Sequence, residues 1–148
     1  MSLAAWADRK AATGDAEERL ARLPTSSTKK GAAVPFPFVD RKVIHDAHTD
    51  SEINARISKA PVVDVPLKGL RSIQHSVKPD RVHQYLEDPG LRPPGDVHSK
   101  AGTPVDHPIV IVQGGQRILW DGNHRSTASY LRGDKTIRAR VVDFDKHP

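Results

Sequence analysis

The stretch over residues 117–131, RILWDGNHRSTASYL, constrains the fold most because its hydrophobic period changes in the middle. Before Gly122 an apolar run predicts a strand over residues 117–121, and after it apolar residues recur at helical spacing. Gly122 permits a sharp turn between the two elements, and Asn123 is predicted to be the helix N-cap. The pattern therefore predicts a strand–turn–helix corner.

The first turn of this predicted helix has the chemistry of a phosphate site. It carries His124 and Arg125 beside the unpaired N–H groups and the partial positive charge of a helix N-terminus. Such groups bind phosphate oxygens, so the corner is a candidate phosphate site. The alternative is an ordinary turn with an exposed His-Arg pair, and the local residues leave both interpretations open.

The chain around this corner alternates between helical and strand patterns. Thr49 and Glu52 form a capping box that starts a helix over residues 49–59, and Pro79 lies in the first turn of a helix over residues 79–88. Strands are predicted over residues 62–67, 108–113, 117–121 and 136–142. A Gly-Gly turn joins the second strand to the third as a hairpin. The sequence thus predicts an α/β domain with a small mixed sheet.

The N-terminal part is predicted to be a helical and extended extension of that domain. A helix is expected over residues 15–23, and two prolines within residues 34–39 favour an extended clamp on the domain surface. The predicted organisation is a helix and linker at residues 1–33, an extended segment and helix packing on the domain at residues 34–60, and the domain at residues 61–148. Trp6, Phe36 and Phe38 would allow a homodimer contact or a protein partner through residues 1–60.

The composition excludes several classes of function. The 148 residues include no cysteine, which excludes disulfides, thiol catalysis and cysteine-ligated zinc. The 23 lysines and arginines against 18 acidic residues give a net charge of +5, which permits attraction to nucleotide or nucleic-acid phosphates. No segment has the pattern of a signal peptide or a membrane span, so a cytoplasmic protein without membrane contact is expected.

A polar stretch before the first strand of the domain contains residue types that bind metal ions. These candidate ligands, which are not regularly spaced, are His45, Asp46, His48 and Asp50. The capping box at Thr49 favours a helix start instead, so no resident metal site is predicted.

Short motifs occur in a fixed order over residues 62–143. They are VPL at residues 65–67 with Leu70 and Arg71, SVKPDRV at residues 76–82, DGNHR at residues 121–125, and TIRA at residues 136–139. In this order they resemble the first strand, the loop and helix start, the phosphate box and the last strand of the ParB/sulfiredoxin superfamily. The resemblance covers more than half of the chain and implies that superfamily's fold.

The resemblance also implies a nucleotide-binding protein. The His and Arg that hold ATP phosphates in sulfiredoxins correspond to His124 and Arg125, and the residue near the adenine corresponds to Arg81. The implied nucleotide-binding residues are Arg71, Arg81, Gln84, Gly122, Asn123, His124, Arg125 and Ser126. The implied cofactor is ATP or CTP, and whether Mg²⁺ accompanies it stays open.

Members of this superfamily differ in chemistry. Sulfiredoxins carry a cysteine in the box where this chain has Asn123, and without a thiol sulfinic-acid reduction is excluded. Chromosome-partitioning ParB proteins bind CTP and continue into a helix-turn-helix domain, whereas this chain ends at Pro148, so binding to a specific partition site is not expected. In size and architecture the chain resembles most the single-domain ParB-like nucleases of phages and plasmids.

Three functions stay open. The first is hydrolysis of a nucleoside triphosphate, non-specific DNA cleavage or both, with Asp121 or His124 as general base or metal partner. The second is a kinase for a small molecule such as free serine, with Asp121 or His75 as base. Serine kinases of this fold use a glutamate in the loop where this chain has Gln74, His75 and Ser76. The third is a non-catalytic protein-interaction module with a degenerate phosphate site.

Overall fold

A five-stranded mixed sheet organises the chain, which a computed structural model describes over residues 14–26, 31–91 and 106–148. In these ranges the helices are α1 (residues 14–21), α2 (Lys42–His45), α3 (Asp50–Lys59), α4 (Pro79–Glu87) and α5 (Asn123–Arg132). The strands are β1 (Ala32–Ala33), β2 (Val62–Pro66), β3 (Arg71–Ser72), β4 (Ser76–Val77), β5 (Ile109–Gln113), β6 (Gln116–Asp121) and β7 (Thr136–Asp143).

The strand order of the sheet is β2-β7-β5-β6-β3. β5 and β6 form the predicted antiparallel hairpin, in which Val110 lies opposite Leu119. α5 then carries the chain back, so β7 pairs parallel to β5 on its far side and antiparallel to β2. The short strand β3 adds in parallel to the other edge of β6. The start of α5, which follows β6, therefore lies close to the end of β3.

Alternation along the central strands buries both faces of the sheet. One face packs on α2 and α3 and is formed by Ile109, Ile111 and Ile118 with Ile44, Ile53 and Ile57. The opposite face carries Val110, Leu119, Leu70, Ile137 and Ala139. α4 and α5 pack on each other through Val82, Tyr85, Leu86, Ala128 and Leu131. The apolar runs of the sequence therefore form central strands that are buried on both faces of the sheet.

The N-terminal segments pack on the helices and on the loop between β3 and α4. Ala16 and Leu20 of α1 join the core between α4 and α5. Residues 31–39, the strap, run along this loop, where β1 pairs with β4. Further along the strap, Ser72 donates from its N–H to Pro37 O at 2.9 Å, and Val39 donates to Ser72 O at 2.8 Å.

The predicted fold class, α/β with a small mixed sheet and a helical and extended N-terminal extension, is confirmed. Thr49 caps α3 by accepting from the Glu52 N–H at 3.2 Å, and Gly133 ends α5 in the left-handed region at φ 85°. The sequence pattern did not predict α2, β1, β3 or β4, each of which spans only two to four residues. Residues 1–13 with Trp6, and residues 92–105 of the predicted long loop, lie outside the described ranges.

Candidate functional site

The turn between β6 and α5 can only be built with glycine. Gly122 has φ 89°, in the left-handed region that side-chain-bearing residues rarely adopt. A Cβ at this position would lie 2.7 Å from the backbone of Pro108. Gly122 is also the residue at the N-cap position, and α5 begins at Asn123. The turn is therefore fixed both by its backbone conformation and by the chain packed against it.

The expectation that Asn123 is the N-cap was wrong. Asn123 is the first helical residue, is buried, and makes no capping bond. Its Oδ1 instead accepts from the Ser72 hydroxyl at 2.6 Å, and its Nδ2 donates to Gln74 Oε1 at 3.4 Å. The side chain was drawn away from the helix end because β3 brings Ser72 beside it. Asn123 therefore joins the β3–α4 loop to the start of α5.

Three backbone N–H groups at the start of α5 have no hydrogen-bond partner among the described residues. The first bond within the helix runs from the Ser126 N–H to Gly122 O at 2.9 Å, and Gly122 itself donates to Asp121 Oδ1 at 2.8 Å. The unbonded groups are those of Asn123, His124 and Arg125. Ser126 is fully buried with its N–H engaged in the helix. The donors that a phosphate would meet are thus the three preceding residues.

His124 joins the starts of two helices. Its Nε2 accepts from the Lys78 N–H at 3.0 Å, and Lys78 is the residue that caps α4. Near the other end, Arg132 of α5 donates to Tyr85 O of α4 at 3.3 Å. α4 and α5 therefore run parallel, with their positively polarised N-termini side by side.

The surroundings of the His124 imidazole favour its neutral form. Burial lowers its pKa below the ordinary value, and the nearby positive charges of Arg81 and Lys78 lower the pKa further. Because Nε2 accepts a hydrogen bond, the single ring proton belongs on Nδ1. His124 therefore lies in a positive local potential, and its neutral ring adds no charge.

Positive groups at this point lack acidic partners within the described ranges. Neither Lys78 nor Arg81 forms an ion pair there, whereas Arg132, Arg138 and Arg140 each pair with an aspartate. We call this place the anion corner, defined by Lys78, Arg81, His124 and the three N–H groups that open α5. Two helix N-termini and two cations in one place favour an anion.

Arg125 points elsewhere, although it follows His124 directly. Its guanidinium donates to Asp106 O at 2.8 Å and to Leu91 O at 2.9 Å, and it lies 5.4 Å from the Tyr85 ring centre. Asp106 in turn accepts two bonds from Arg140, at 3.0 and 3.1 Å. We call Arg125, Asp106 and Arg140 the arginine clasp. Within the clasp, the bond from Arg140 lowers the pKa of Asp106 to about 2.

The other predicted site residues lie at different distances from the corner. Asp121 ends β6 as an exposed carboxylate beside the opening of α5. Arg71 precedes Ser72 in β3, so strand alternation places it on the face away from Asn123. Gln84 is exposed on α4, one turn after Arg81. The structure thus brings Arg81, His124 and Asp121 to the start of α5.

Sequence reasoning missed three residues of this region. Lys78 stands in the quoted stretch of residues 76–82, directly before the proline that opens α4, and this position was its signal. Ser72 and Gln74 gave no such signal, because the hydrogen bonds that tie them to Asn123 connect residues about fifty positions apart.

Other groupings of metal-ligand side chains lie away from the corner. Glu17, His83 and Glu87 bring three ligand atoms within 4.8 Å of one another where α1 meets α4. His45 and His48 pair with Asp50 and Glu52, at 2.6 and 3.1 Å, so these side chains hold the start of α3. Beside the corner, the Asp121 carboxylate is the group that suits a hard cation such as Mg²⁺.

No protein-family model and no curated protein matches the sequence. Among solved structures, the chain is similar to the crystal structure of sulfiredoxin from Arabidopsis thaliana, with a TM-score of 0.40 and 21% identity over 59% of this chain and 92% of that chain. A likeness at this level carries no argument about chemistry.

None of the helices in the described ranges has the length and apolar character needed to span a bilayer.

Proposed function

We propose that the protein binds the phosphate groups of a nucleoside triphosphate, ATP or CTP, at the anion corner. The observation that carries the proposal is the hydrogen bond from the Lys78 N–H to His124, which holds the N-termini of α4 and α5 side by side. Two parallel helix dipoles repel each other at their positive ends unless an anion lies between them. Arg81 and Lys78 add charge that no acidic residue of the described ranges neutralises.

The choice of a nucleotide over another anion rests on the sequence. The DGNHR box at residues 121–125 resembles the phosphate box of nucleotide-binding ParB/sulfiredoxin proteins. The corner presents three adjacent N–H donors and two long cationic side chains, an arrangement that suits several phosphate oxygens in a row. Arg125 enters this proposal through its N–H, because its guanidinium is bonded to two carbonyl oxygens.

For hydrolysis, we assign the proton-accepting or Mg²⁺-binding role to Asp121. The carboxylate is exposed at the same turn, and one of its oxygens accepts from Gly122 while the other has no partner in the described ranges. His124 is less suited to take a proton, because its Nε2 already accepts from Lys78. Mg²⁺ commonly reaches a protein through one carboxylate and the substrate's phosphates, which fits a single exposed aspartate.

Calorimetry with ATP, CTP and tripolyphosphate, each with and without Mg²⁺, tests the proposal. Arg81→Ala should weaken binding of all three ligands by about ten- to a hundredfold, since a charge-assisted contact is worth roughly 1.5–3 kcal/mol. The matched control is Arg138→Ala, an exposed arginine of β7 that pairs with Asp64 and should leave affinity unchanged. Absence of binding by the wild type at millimolar ligand, or an Arg81→Ala variant that binds normally, would contradict the proposal.

Phosphate release and DNA cleavage, measured on the same samples, separate the functions that share this site. Asp121→Asn should abolish turnover, while nucleotide affinity without Mg²⁺ should be kept or slightly raised, because the variant removes a negative charge beside the phosphates. DNA, if bound, should bind without sequence preference and lose affinity steeply with salt, because the contacts are cations on phosphates. Phosphate transfer to free serine would instead favour the kinase. Tight nucleotide binding without any turnover would favour the non-catalytic module.

A further inference from the structure

A small cavity of about 200 Å³ lies between the strap and the β3–α4 loop. Its apolar wall comes from the strap, through Val34, Phe36 and Phe38, and its polar wall comes from Gln74 and His75 of the β3–α4 loop. A cavity of this size takes one small group. Its walls combine apolar and polar groups, so it can meet both the flat face and the polar edge of a small ligand.

The aromatic ring of Phe38 lies at the surface in spite of its size. The exposed fraction of Phe38 is 42%, and the ring is stacked on the imidazole of His75 with centres 3.6 Å apart and planes 20° apart. The strap holds it there through the paired backbone of Pro37, Val39 and Ser72. The ring therefore presents part of its flat apolar surface to solvent at a place that the strap backbone fixes.

Gln74 forms a wall shared by this cavity and the anion corner. Its Oε1 accepts from Asn123 Nδ2 at 3.4 Å, and its N–H donates to Ser72 Oγ at 3.0 Å. Asn123 carries the first of the unbonded N–H groups of α5. One side chain therefore separates the aromatic cavity from the place where a phosphate would bind.

A buried hydroxyl lies on the same side of α5. Helical spacing puts Thr127 on one face with Asn123, which contacts Gln74, and with Tyr130, whose ring meets Phe36 edge-on at 5.7 Å. Thr127 is fully buried, and its Oγ1 has no hydrogen-bond partner among the described residues. This hydroxyl does not line the cavity, and it lies in the protein interior behind the cavity's walls.

We propose that the cavity formed by the strap and the β3–α4 loop binds the nucleobase of the ligand whose phosphates occupy the anion corner. Planar heterocycles stack on aromatic rings, which the Phe38–His75 pair offers. Their polar edges would meet the His75 imidazole and the hydrogen-bonding capacity that the Gln74 amide keeps beyond its bonds to Asn123 and Ser76. This inference rests on the proposed function, and it places the base away from Arg81, the residue that the family resemblance puts near an adenine. The base belongs either to a free nucleotide or to a single nucleic-acid strand, since both join a base to a phosphate.

The test compares a ligand that has a base with one that has none. ATP, CTP and tripolyphosphate are titrated into the wild type, Phe38→Ala and Phe38→Tyr, with folding checked by thermal melting. Phe38→Ala should weaken nucleotide binding about five- to a hundredfold, which is the affinity that stacking of one base on an aromatic ring contributes. The same variant should leave tripolyphosphate affinity unchanged. Phe38→Tyr keeps the ring and should bind as the wild type does. The matched control is Val63→Ala, which removes an exposed apolar side chain (41% exposed) from β2.

The outcomes separate this inference from the proposed function. Nucleotides that bind no tighter than tripolyphosphate in the wild type, or a Phe38→Ala loss that is equal for both ligand types, would overturn the base site and leave the phosphate site standing. Failure of tripolyphosphate itself to bind would overturn the phosphate site. A ten-nucleotide single-stranded oligothymidylate, titrated in parallel, identifies the source of the base, because the ligand whose binding depends most on Phe38 is the one that the cavity takes.

Discussion

His124 and Arg125 are consecutive residues, but their side chains belong to two regions that differ in how the positive charges are paired. At the arginine clasp every cation is satisfied, since Arg125 donates to two carbonyl oxygens and Arg140 makes a two-bond pair with Asp106. At the anion corner Lys78 and Arg81 have no acidic partner in the described ranges. The residue types are the same, and their partners differ. Satisfied cations hold a structure together, and unsatisfied ones are available to a ligand.

Divergence of the two side chains follows from helix geometry. Successive residues of a helix point about 100° apart, so adjacent residues in a first turn do not share a neighbour. His124 meets the start of α4, and Arg125 meets the chain at Leu91 and Asp106. A sequence motif that places two residues side by side therefore does not place their side chains on one ligand.

The largest expected effect removes the support that both regions share. Leu131→Ala deletes a side chain that is 1% exposed in the core between α4 and α5, and should lower the free energy of unfolding by roughly 2–5 kcal/mol. Urea denaturation measures the change. Tyr130→Ala is the matched control on the same helix, where the side chain is 47% exposed and mainly its edge-on contact with Phe36 is lost, so the cost should be about 0.5–1.5 kcal/mol. Equal costs for the two variants would contradict the burial of Leu131 between α4 and α5.

Arg125→Ala sharpens the comparison by removing the centre of the clasp. Two charge-assisted bonds to carbonyl oxygens are lost, so the free energy of unfolding should fall by roughly 1.5–3 kcal/mol. Arg81→Ala, at the anion corner, should change unfolding by only about 0.5 kcal/mol. For tripolyphosphate affinity the order should reverse, with Arg81→Ala the more damaging of the two. A larger affinity loss in Arg125→Ala would mean that its guanidinium leaves the carbonyls to bind phosphate.

Acid should loosen the clasp. The pKa of Asp106 is lowered from 3.8 to about 2 in the folded protein, chiefly by the hydrogen bond from Arg140. The folded state therefore binds fewer protons than the unfolded state in this range, and stability is lost as pH falls from 3.8 towards 2. The loss should be about 1 kcal/mol, because Asp106 is partly exposed and solvent screens the pair. Asp106→Asn should show a flatter profile over the same range, and an unchanged profile would contradict this assignment.

The smallest expected effect concerns His124. Its pKa is lowered by burial and then by Arg81 and Lys78, so the unfolded chain takes up a proton before the folded one does. Stability should therefore decline slightly as pH falls below the ordinary value of 6.5, over the range down to the lowered pKa. Proton NMR of the His124 ring should give a titration midpoint below 6.5, and tripolyphosphate should move this midpoint upwards. A midpoint that does not respond to tripolyphosphate would place the anion away from the corner.

Elements whose signals are local were predictable from the sequence. The capping box of Thr49 and Glu52 started α3, Gly133 ended α5, and residues 34–39 with their two prolines form no helix or regular strand. Of the candidate site, the position of the α5 N-terminus after Gly122 was predictable, because only glycine adopts the turn conformation found there. Strands β1, β3 and β4 were not predictable, because two residues are too few to show the alternation of apolar and polar side chains that indicates a strand.

By itself, the sequence determined where the chain turns and which residues stand at the start of α5. Only the tertiary structure decided what each of those residues meets. Asn123 was predicted to cap its own helix, and β3 gave it Ser72 as a partner instead. Packing buried His124 and placed Arg81 and Lys78 beside it, which lowers the pKa of its imidazole and favours the neutral form. Local pattern sets backbone conformation, whereas charge state and hydrogen-bond partners depend on groups that are distant in sequence and adjacent only after folding.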